Sequence, residues 1–489
     1  MSALTALAQL RAVRDGSAQR ITTVRHCHIV PRPMVFIPLK LAGEAAAPLG
    51  AMVGTDPHYP RLLVVPQPRN RDLRFAFAAD LAEVFLPYIE GFEKTTETVE
   101  RKTGEPYERC LDAPQVLVPN RSAVSFTGML GRSTRFRRAD GPYPVHPSVP
   151  LLGRWLTYFA DRSQQPGSSL LLAATEALGL HWATGQSGLE DANLAALLGW
   201  IAPPAGMSGR RAAEEAEDPL LWPPAGPATD PGFDNEVLGP AVRAYEEAPT
   251  ERAVERVTQA LRTQLEPTWK LMWRAVEELR ALPEGARVKD RWEIDRGSFT
   301  RFVERITEGG PPQARRDGAV GAAARLAGLE RARASYDVQR AHDDPLVMAE
   351  YRLTGEAFAG TVTAADPEHA EGEGRSRKLR PLITVQTDDP VRLALGTTVG
   401  SPDRRGHAAE IIEIADGEIT LKITKGMGRG KTPAPGAVPE PGERVTYTSL
   451  TDDFQSSASL PDPEQTPWTH GGPPEEYVPS DDDAQEEWS

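Results

Sequence analysis

Apolar and polar positions change rhythm several times along this chain, and the changes divide it. Between residues 20 and 150 short apolar runs alternate with turn residues. "ITTVRHCHIV" (21–30), "PMVFIPLKL" (33–41) and "PRLLVVPQP" (60–68) have strand length and proline boundaries. Asn70-Arg71-Asp72 then starts "LRFAFAADLAEVFLPYIEGF", whose spacing predicts an amphipathic helix. "PQVLVPN" and "SAVSFTGML" read as further short strands.

From 150 to 205 the apolar residues recur at helical spacing, with Ser168, Ser169 and Ser187 as candidate caps. Residues 206–233 are rich in Pro and Gly and read as a linker. The segment 249–282 has one long helical pattern that Pro267 is expected to kink or split. "GSFTRFVERITEGG" and "AVGAAARLAGLERARASYDVQRAHDD" predict two more helices, the second ended by Asp344-Pro345. Their Arg/Glu lacing is that of solvated stalks.

Beyond Pro345 the period becomes two. "VMAEYRLTG", "FAGTVTAAD", "PLITVQT", "AAEIIEIAD", "EITLKIT" and "RVTYTSL" read as strands, and "ADGE" (415–418) marks a hairpin. Short strands at this spacing predict a small β-barrel. The expected architecture is an α+β multidomain chain. It has a mixed α/β region (1–150), a helical region (151–205), a linker (206–233), a helical stalk region (234–344), the barrel (345–454) and a disordered acidic tail (455–489).

Composition narrows the function. With 489 residues, two to four domains are expected, and 40% hydrophobic residues suffice for real cores. A net charge of −14 gives no general affinity for polyanions, so any nucleic-acid contact needs a local basic patch. Cys27 and Cys110 are the only cysteines, too few for a structural zinc set. No signal-peptide pattern opens the chain, and no run approaches the ~18 apolar residues of a membrane span. A cytoplasmic protein without membrane contact is expected, and the Arg-rich, Lys-poor composition fits a GC-rich bacterial genome.

"LKITKGMGRGKTPAP" (421–435) imitates a phosphate-binding loop through Gly430-Lys431-Thr432. Lys425 stands where the first glycine belongs, and Pro433 and Pro435 oppose the helix that must follow. The chain is therefore not expected to bind ATP. The loops remain basic, however. Arg375, Arg377, Lys378 and Arg380, then Arg404, Arg405 and His407, then Lys422, Lys425, Arg429 and Lys431 make a candidate footprint for DNA or RNA. Ordinary loop solvation explains them equally well, and no aromatic ladder accompanies them.

Residues 319–454 resemble the stalk-and-barrel insertion of superfamily 1 helicases of the nonsense-mediated-decay type. The resemblance rests on "YDVQRAHDDP", "AFAGTVTAAD", "DPVRLALGTTVGSPDRRGHAAEIIEIADGEITLKI" and "PGERVTYTSLTDDFQ". It covers about a quarter of the chain and implies a stalk, then strands of the form Gly-Xaa-Val, D-x-V-x-L, x-G-x-A/V-x-x-I and E-I-x-L, then a closing strand. In those helicases the barrel borders the nucleic-acid channel. The helicase's ATP-site motifs are missing, so no catalytic residue carries over. The resemblance implies a barrel that serves a separately encoded helicase or ATPase, in a setting such as bacterial defence or DNA repair.

Other constellations are weaker. On a strand, His26 and His28 would share a face and could begin a metal site, completed by His58, Asp56 or His146. Polar residues on a half-exposed strand are the plainer explanation. Arg69, Arg71, Arg74, Arg132, Arg135, Arg137 and Arg138 could form a second basic face, with surface ion pairing as the favoured account. Trp155, Trp182, Trp200, Trp269, Trp273 and Trp292 are expected in cores. The expected function is that of a non-catalytic accessory or scaffold protein of a nucleic-acid-processing assembly, with no cofactor. A metal-dependent enzyme built on His26/His28 and a pure protein-interaction scaffold are the alternatives.

Overall fold

The strand Met34–Lys40 is buried at six consecutive positions, which requires cover on both faces of its sheet. That sheet has five strands in the order Arg61–Val64, Pro48–Gly54, Met34–Lys40, Val116–Val118, Leu171–Ala173. The first three form an antiparallel meander, and the last two run parallel to Met34–Lys40. These relations come from a computed structural model that describes residues 2–100, 104–372, 377–428, 430, 432–450 and 460.

One sheet face, carrying Val35, Ile37, Leu39 and Met52, packs on Val257, Leu261, Leu265, Trp269, Met272 and Val276 of the helix Glu251–Arg280. The other face, carrying Met34, Phe36 and Val53, packs on the helices Arg71–Glu93, Arg121–Thr134 and Ser148–Ser163. The six tryptophans expected in cores are all buried. Asn70 caps the first of those helices by accepting from the Asp72 and Leu73 amides, as its position before the apolar pattern predicts.

The chain divides into two compact units. Residues 5–21 and 25–332 make an α/β unit, so the expected regions 1–150 and 151–205 share one sheet, which Leu171–Ala173 completes. Residues 2–4, 22–24 and 333–450 make the second unit, whose strands close into a barrel in the order Ala357–Asp366, Leu382–Gln386, Glu418–Lys425, Ala408–Ala415, Thr398–Gly400, Arg444–Thr448. Phe358, Val385, Ile411, Leu421 and Tyr447 fill it. The Asp-Gly hairpin stands as expected, with Asp416 at φ 47° and Gly417 at φ 80°. Residues 451–459 and 461–489, and with them most of the acidic tail, lie outside the described residues.

Several expectations are corrected. "SAVSFTGML" lies in the helix Arg121–Thr134, capped by Asn120. Its Ser and Thr residues resemble strand composition, but Ala123, Phe126, Leu130 and Thr134 are buried at helical spacing. "VMAEYRLTG" lies in the helix Pro345–Thr354. Asp344 is its N-cap, Pro345 its first residue, and Gly355 at φ 82° its end. "DPVRLALG" forms no strand. The helix Glu251–Arg280 runs on through Pro267 without splitting. Pro48–Gly54 is a strand the pattern did not announce. Its Gly50 is required, since a Cβ there would sit 2.5 Å from the Leu63 carbonyl oxygen.

Candidate functional site

The barrel holds the expected basic footprint, and its register decides what those cations do. Lys422 stands opposite Glu410 on the neighbouring strand. Its Nζ lies 3.0 Å from Glu410 and 3.2 Å from Glu371, which keep the ammonium protonated above its ordinary range. Arg404 is paired with Glu443. Arg380 is half-buried and donates to the Leu379 carbonyl at 3.1 Å. His407 is buried against Tyr447, and burial followed by the Arg404 charge depresses it to about 4. It is therefore neutral at pH 7 and is removed from the footprint. Arg377, Lys378, Arg405 and Lys425 are exposed. Arg375, Arg429 and Lys431 lie outside the described residues, and no helix follows Thr432 before the last strand.

The barrel wall also exposes apolar side chains. A bulge between Ile411 and Glu413 breaks the strand's alternation and turns both Ile412 and Ile414 outward. The Leu393–Thr398 approach runs beside them: Gly396 donates to the Ile411 carbonyl at 2.7 Å, and Leu395 is 63% exposed.

"ITTVRHCHIV" is not a strand, and the reason is visible bond by bond. Alternate amides donate to side chains where a neighbouring strand would accept. The His26 amide meets His181 Nε2 at 2.9 Å, the His28 amide meets Ser169 Oγ at 3.0 Å, and the Val30 amide meets Gln115 Oε1 at 3.1 Å. The two imidazoles consequently have different neighbours. His26 stacks toward His181, while His28 lies on the Trp292 ring at 4.4 Å with Nδ1 3.3 Å from Glu284.

Glu284 also receives Arg25 at 2.5 Å. Its carboxyl is held below the usual range, first by the His28 bond and then by the Arg25 bond against the opposing cost of burial. Burial pushes the Cys27 thiol up to about 12, so it is neither a thiolate nucleophile nor a ligand at neutral pH. Among the described residues no group of three or more His, Cys, Asp and Glu is placed to hold a metal ion. Asp56 accepts from the His58 amide and His146 bonds Ser148, each within its own loop.

The second basic face is mostly bonded internally, as surface ion pairing predicts. Arg69 and Arg74 share Glu44, Arg71 meets Asp72, and Arg138 meets Asp140. Arg135 donates to the Gln313 and Ala314 carbonyls, and Arg132 stands in the last turn of the helix Arg121–Thr134. The α/β unit also has a cleft of about 860 Å³ between the helix Arg71–Glu93 and the edge of the sheet, over Met34, Val53, Val84 and Phe92. The Tyr88 hydroxyl at its wall bonds the Arg32 and Gln115 carbonyls.

Comparison of the chain with protein-family models, with curated proteins and with solved structures finds no match. The described residues contain no helix long and apolar enough to cross a membrane.

Proposed function

We propose that this chain is a non-catalytic accessory or scaffold protein of a nucleic-acid-processing assembly. It works beside a separately encoded helicase or ATPase, which docks on the barrel. The observation that carries this reading is the character of the barrel wall. Its strand cation Lys422 and its loop cation Arg404 are paired with carboxylates, while Leu395, Ile412 and Ile414 stand exposed on neighbouring backbone. Apolar side chains rimmed by satisfied charges suit a protein partner better than a phosphate backbone. Helices precede a closed barrel, the order the stalk-and-barrel resemblance implies, although its D-x-V-x-L segment forms no strand.

The test is affinity purification of the tagged full-length chain from its own host, with and without nuclease, read by mass spectrometry. A helicase-type ATPase that stays bound after nuclease, and is lost with Ile412→Asp/Ile414→Asp, supports the reading. Recovery of background proteins alone contradicts it.

A further inference from the structure

The helix Arg71–Glu93 turns one apolar stripe toward a cleft and not toward a core. Val84, Pro87, Tyr88 and Gly91 recur at i, i+3, i+4 and i+7, the spacing with which a helix usually faces its core. Here these residues line the cleft of about 860 Å³, with Pro87 and Gly91 exposed. Both are poor helix formers. A Cβ on Gly91 would meet nothing within 4 Å, so packing does not require the glycine, and the missing side chain widens the cleft. Met34, Val53 and the Phe92 ring, edge-on to Tyr88 at 5.2 Å, complete the apolar wall.

The mouth of the cleft is held in place by bonds to its backbone. Arg280 donates to the Val30 and Pro31 carbonyls at 2.9 and 2.8 Å, and the Tyr88 hydroxyl bonds the Arg32 carbonyl at 3.1 Å. These bonds fix the segment that presents Arg32. Trp269 Nε1 donates to the Pro57 carbonyl at 2.8 Å, and the His58 amide donates to Asp56 Oδ1 at 2.8 Å. These fix the turn that presents Thr55 and Asp56. The two charges so presented are unspent. Among the described residues the Arg32 guanidinium meets only Thr55 Oγ1, at 3.4 Å, and Asp56 accepts only from the His58 amide. Arg32 thus reaches the residue next to Asp56 without pairing with it. The other charges of the lining are engaged: Arg61 meets Glu83 at 2.8 Å, and Asp112 accepts from Trp292 Nε1 and the Ala113 amide at 2.8 and 2.9 Å.

We propose that this cleft binds an apolar zwitterion, an α-amino acid or short peptide with a large apolar side chain. Arg32 takes its carboxylate, Asp56 takes its ammonium, and the side chain lies on Met34, Val53, Tyr88 and Phe92. A guanidinium and a carboxylate match through parallel N–H donors. A plain carboxylate would leave Asp56 facing a like charge, and a plain amine would do the same to Arg32. The zwitterion satisfies both. A polyphosphate would meet Asp56 and Asp112 with like charge and would gain nothing from the apolar wall. The volume falls within the ~300–1,000 Å³ of small-molecule sites. Every lining residue belongs to the α/β unit, so the site stands independently of the barrel and its partner.

The experiment is a ligand-observed NMR titration of the full-length chain with four probes: L-phenylalanine, the dipeptide Leu-Phe, 3-phenylpropanoate and phenethylamine. At least one zwitterion is expected to bind about 10-fold or more tightly than either singly charged compound, and the tighter of the two zwitterions tells an amino acid from a peptide. Arg32→Gln is expected to weaken that zwitterion by about 10-fold without weakening phenethylamine. Asp56→Asn is expected to weaken it equally without weakening 3-phenylpropanoate. A loss of fold would not give this crossed pattern. Gly91→Leu fills the cleft and is expected to abolish binding of every probe without lowering the midpoint of thermal unfolding, since leucine is the better helix former. Equal affinity for all four probes, no binding of either zwitterion by the parent chain, or unaltered binding by Gly91→Leu overturns the proposal.

Discussion

The barrel and the α/β unit both pair their cations with carboxylates, and they do so at different depths. In the barrel the pairs lie at the wall and its loops, partly exposed: Lys422 lies between Glu371 and Glu410, Arg404 meets Glu443, and Arg352 grips Asp389 with two bonds of 2.7 and 2.9 Å. In the α/β unit three pairs each have a member sunk into the interior: Asp295 takes Arg162, Glu44 takes Arg74, and Glu284 takes Arg25. Counting charges along a sequence treats the two alike. Burial separates ion pairs that cost little to break from ones that cost several kcal/mol.

The largest expected effect lies in the interior of the α/β unit. Asp295 is 1% exposed and accepts from Arg162 at 2.7 Å, Ser168 at 2.8 Å and the Ser169 amide at 2.7 Å. Asp295→Ala strands those donors and is expected to cost about 3–5 kcal/mol. Seven of the nine tryptophans are in this unit, so urea unfolding followed by fluorescence reads the loss. A cost below ~1 kcal/mol would show that the carboxylate does not anchor this network.

Next comes a pH effect in the barrel. His407 titrates near 4 in the folded state and near 6.5 when unfolded, so the unfolded chain binds the extra proton between those values. Barrel stability is therefore full above about pH 6.5 and falls, by up to ~3 kcal/mol, as the pH drops toward 4. Hydrogen exchange of residues 444–448 measures it, and His407→Gln should flatten the dependence.

A smaller effect of opposite location follows from Glu284. Its depressed carboxyl contributes stability that is present above about pH 4.5 and lost as the pH falls through its folded value. Glu284→Gln is expected to cost ~2 kcal/mol at pH 7, since it leaves the buried Arg25 with carbonyl partners only, and to reduce the acid-induced loss. Equal acid sensitivity of variant and parent would remove the carboxylate from this account. The smallest change is Lys422→Met, expected to cost less than ~1 kcal/mol because its partners are half-exposed. A cost above ~2 kcal/mol would erase the contrast between the two units.

How much of this could be read from the residues differed by region for physical reasons. Barrel strands such as Glu418–Lys425 are buried on one face only, and the Asp416-Gly417 turn fixes their register, so a period of two was legible. The Pro345–Thr354 helix was misread because its decisive signals, the Asp344 cap and the Gly355 stop, lie at its ends and not in its apolar pattern. Residues 21–30 have strand composition, yet Ser169, Gln115 and His181 take their amides, and no local pattern announces acceptors so distant in sequence. The candidate sites followed the same logic. Lys422 and Arg404 were legible as basic but not as paired. Arg135 was legible as basic but not as bonded to the Gln313 and Ala314 carbonyls, because only the fold brings that segment beside it.

The most direct test of the account is hydrogen exchange of the full-length chain with and without a helicase-type ATPase recovered from its own host. Protection of residues 393–398 and 410–415 of the barrel is the predicted result. Protection confined to the α/β unit, or none at a concentration where the ATPase is bound, would contradict it.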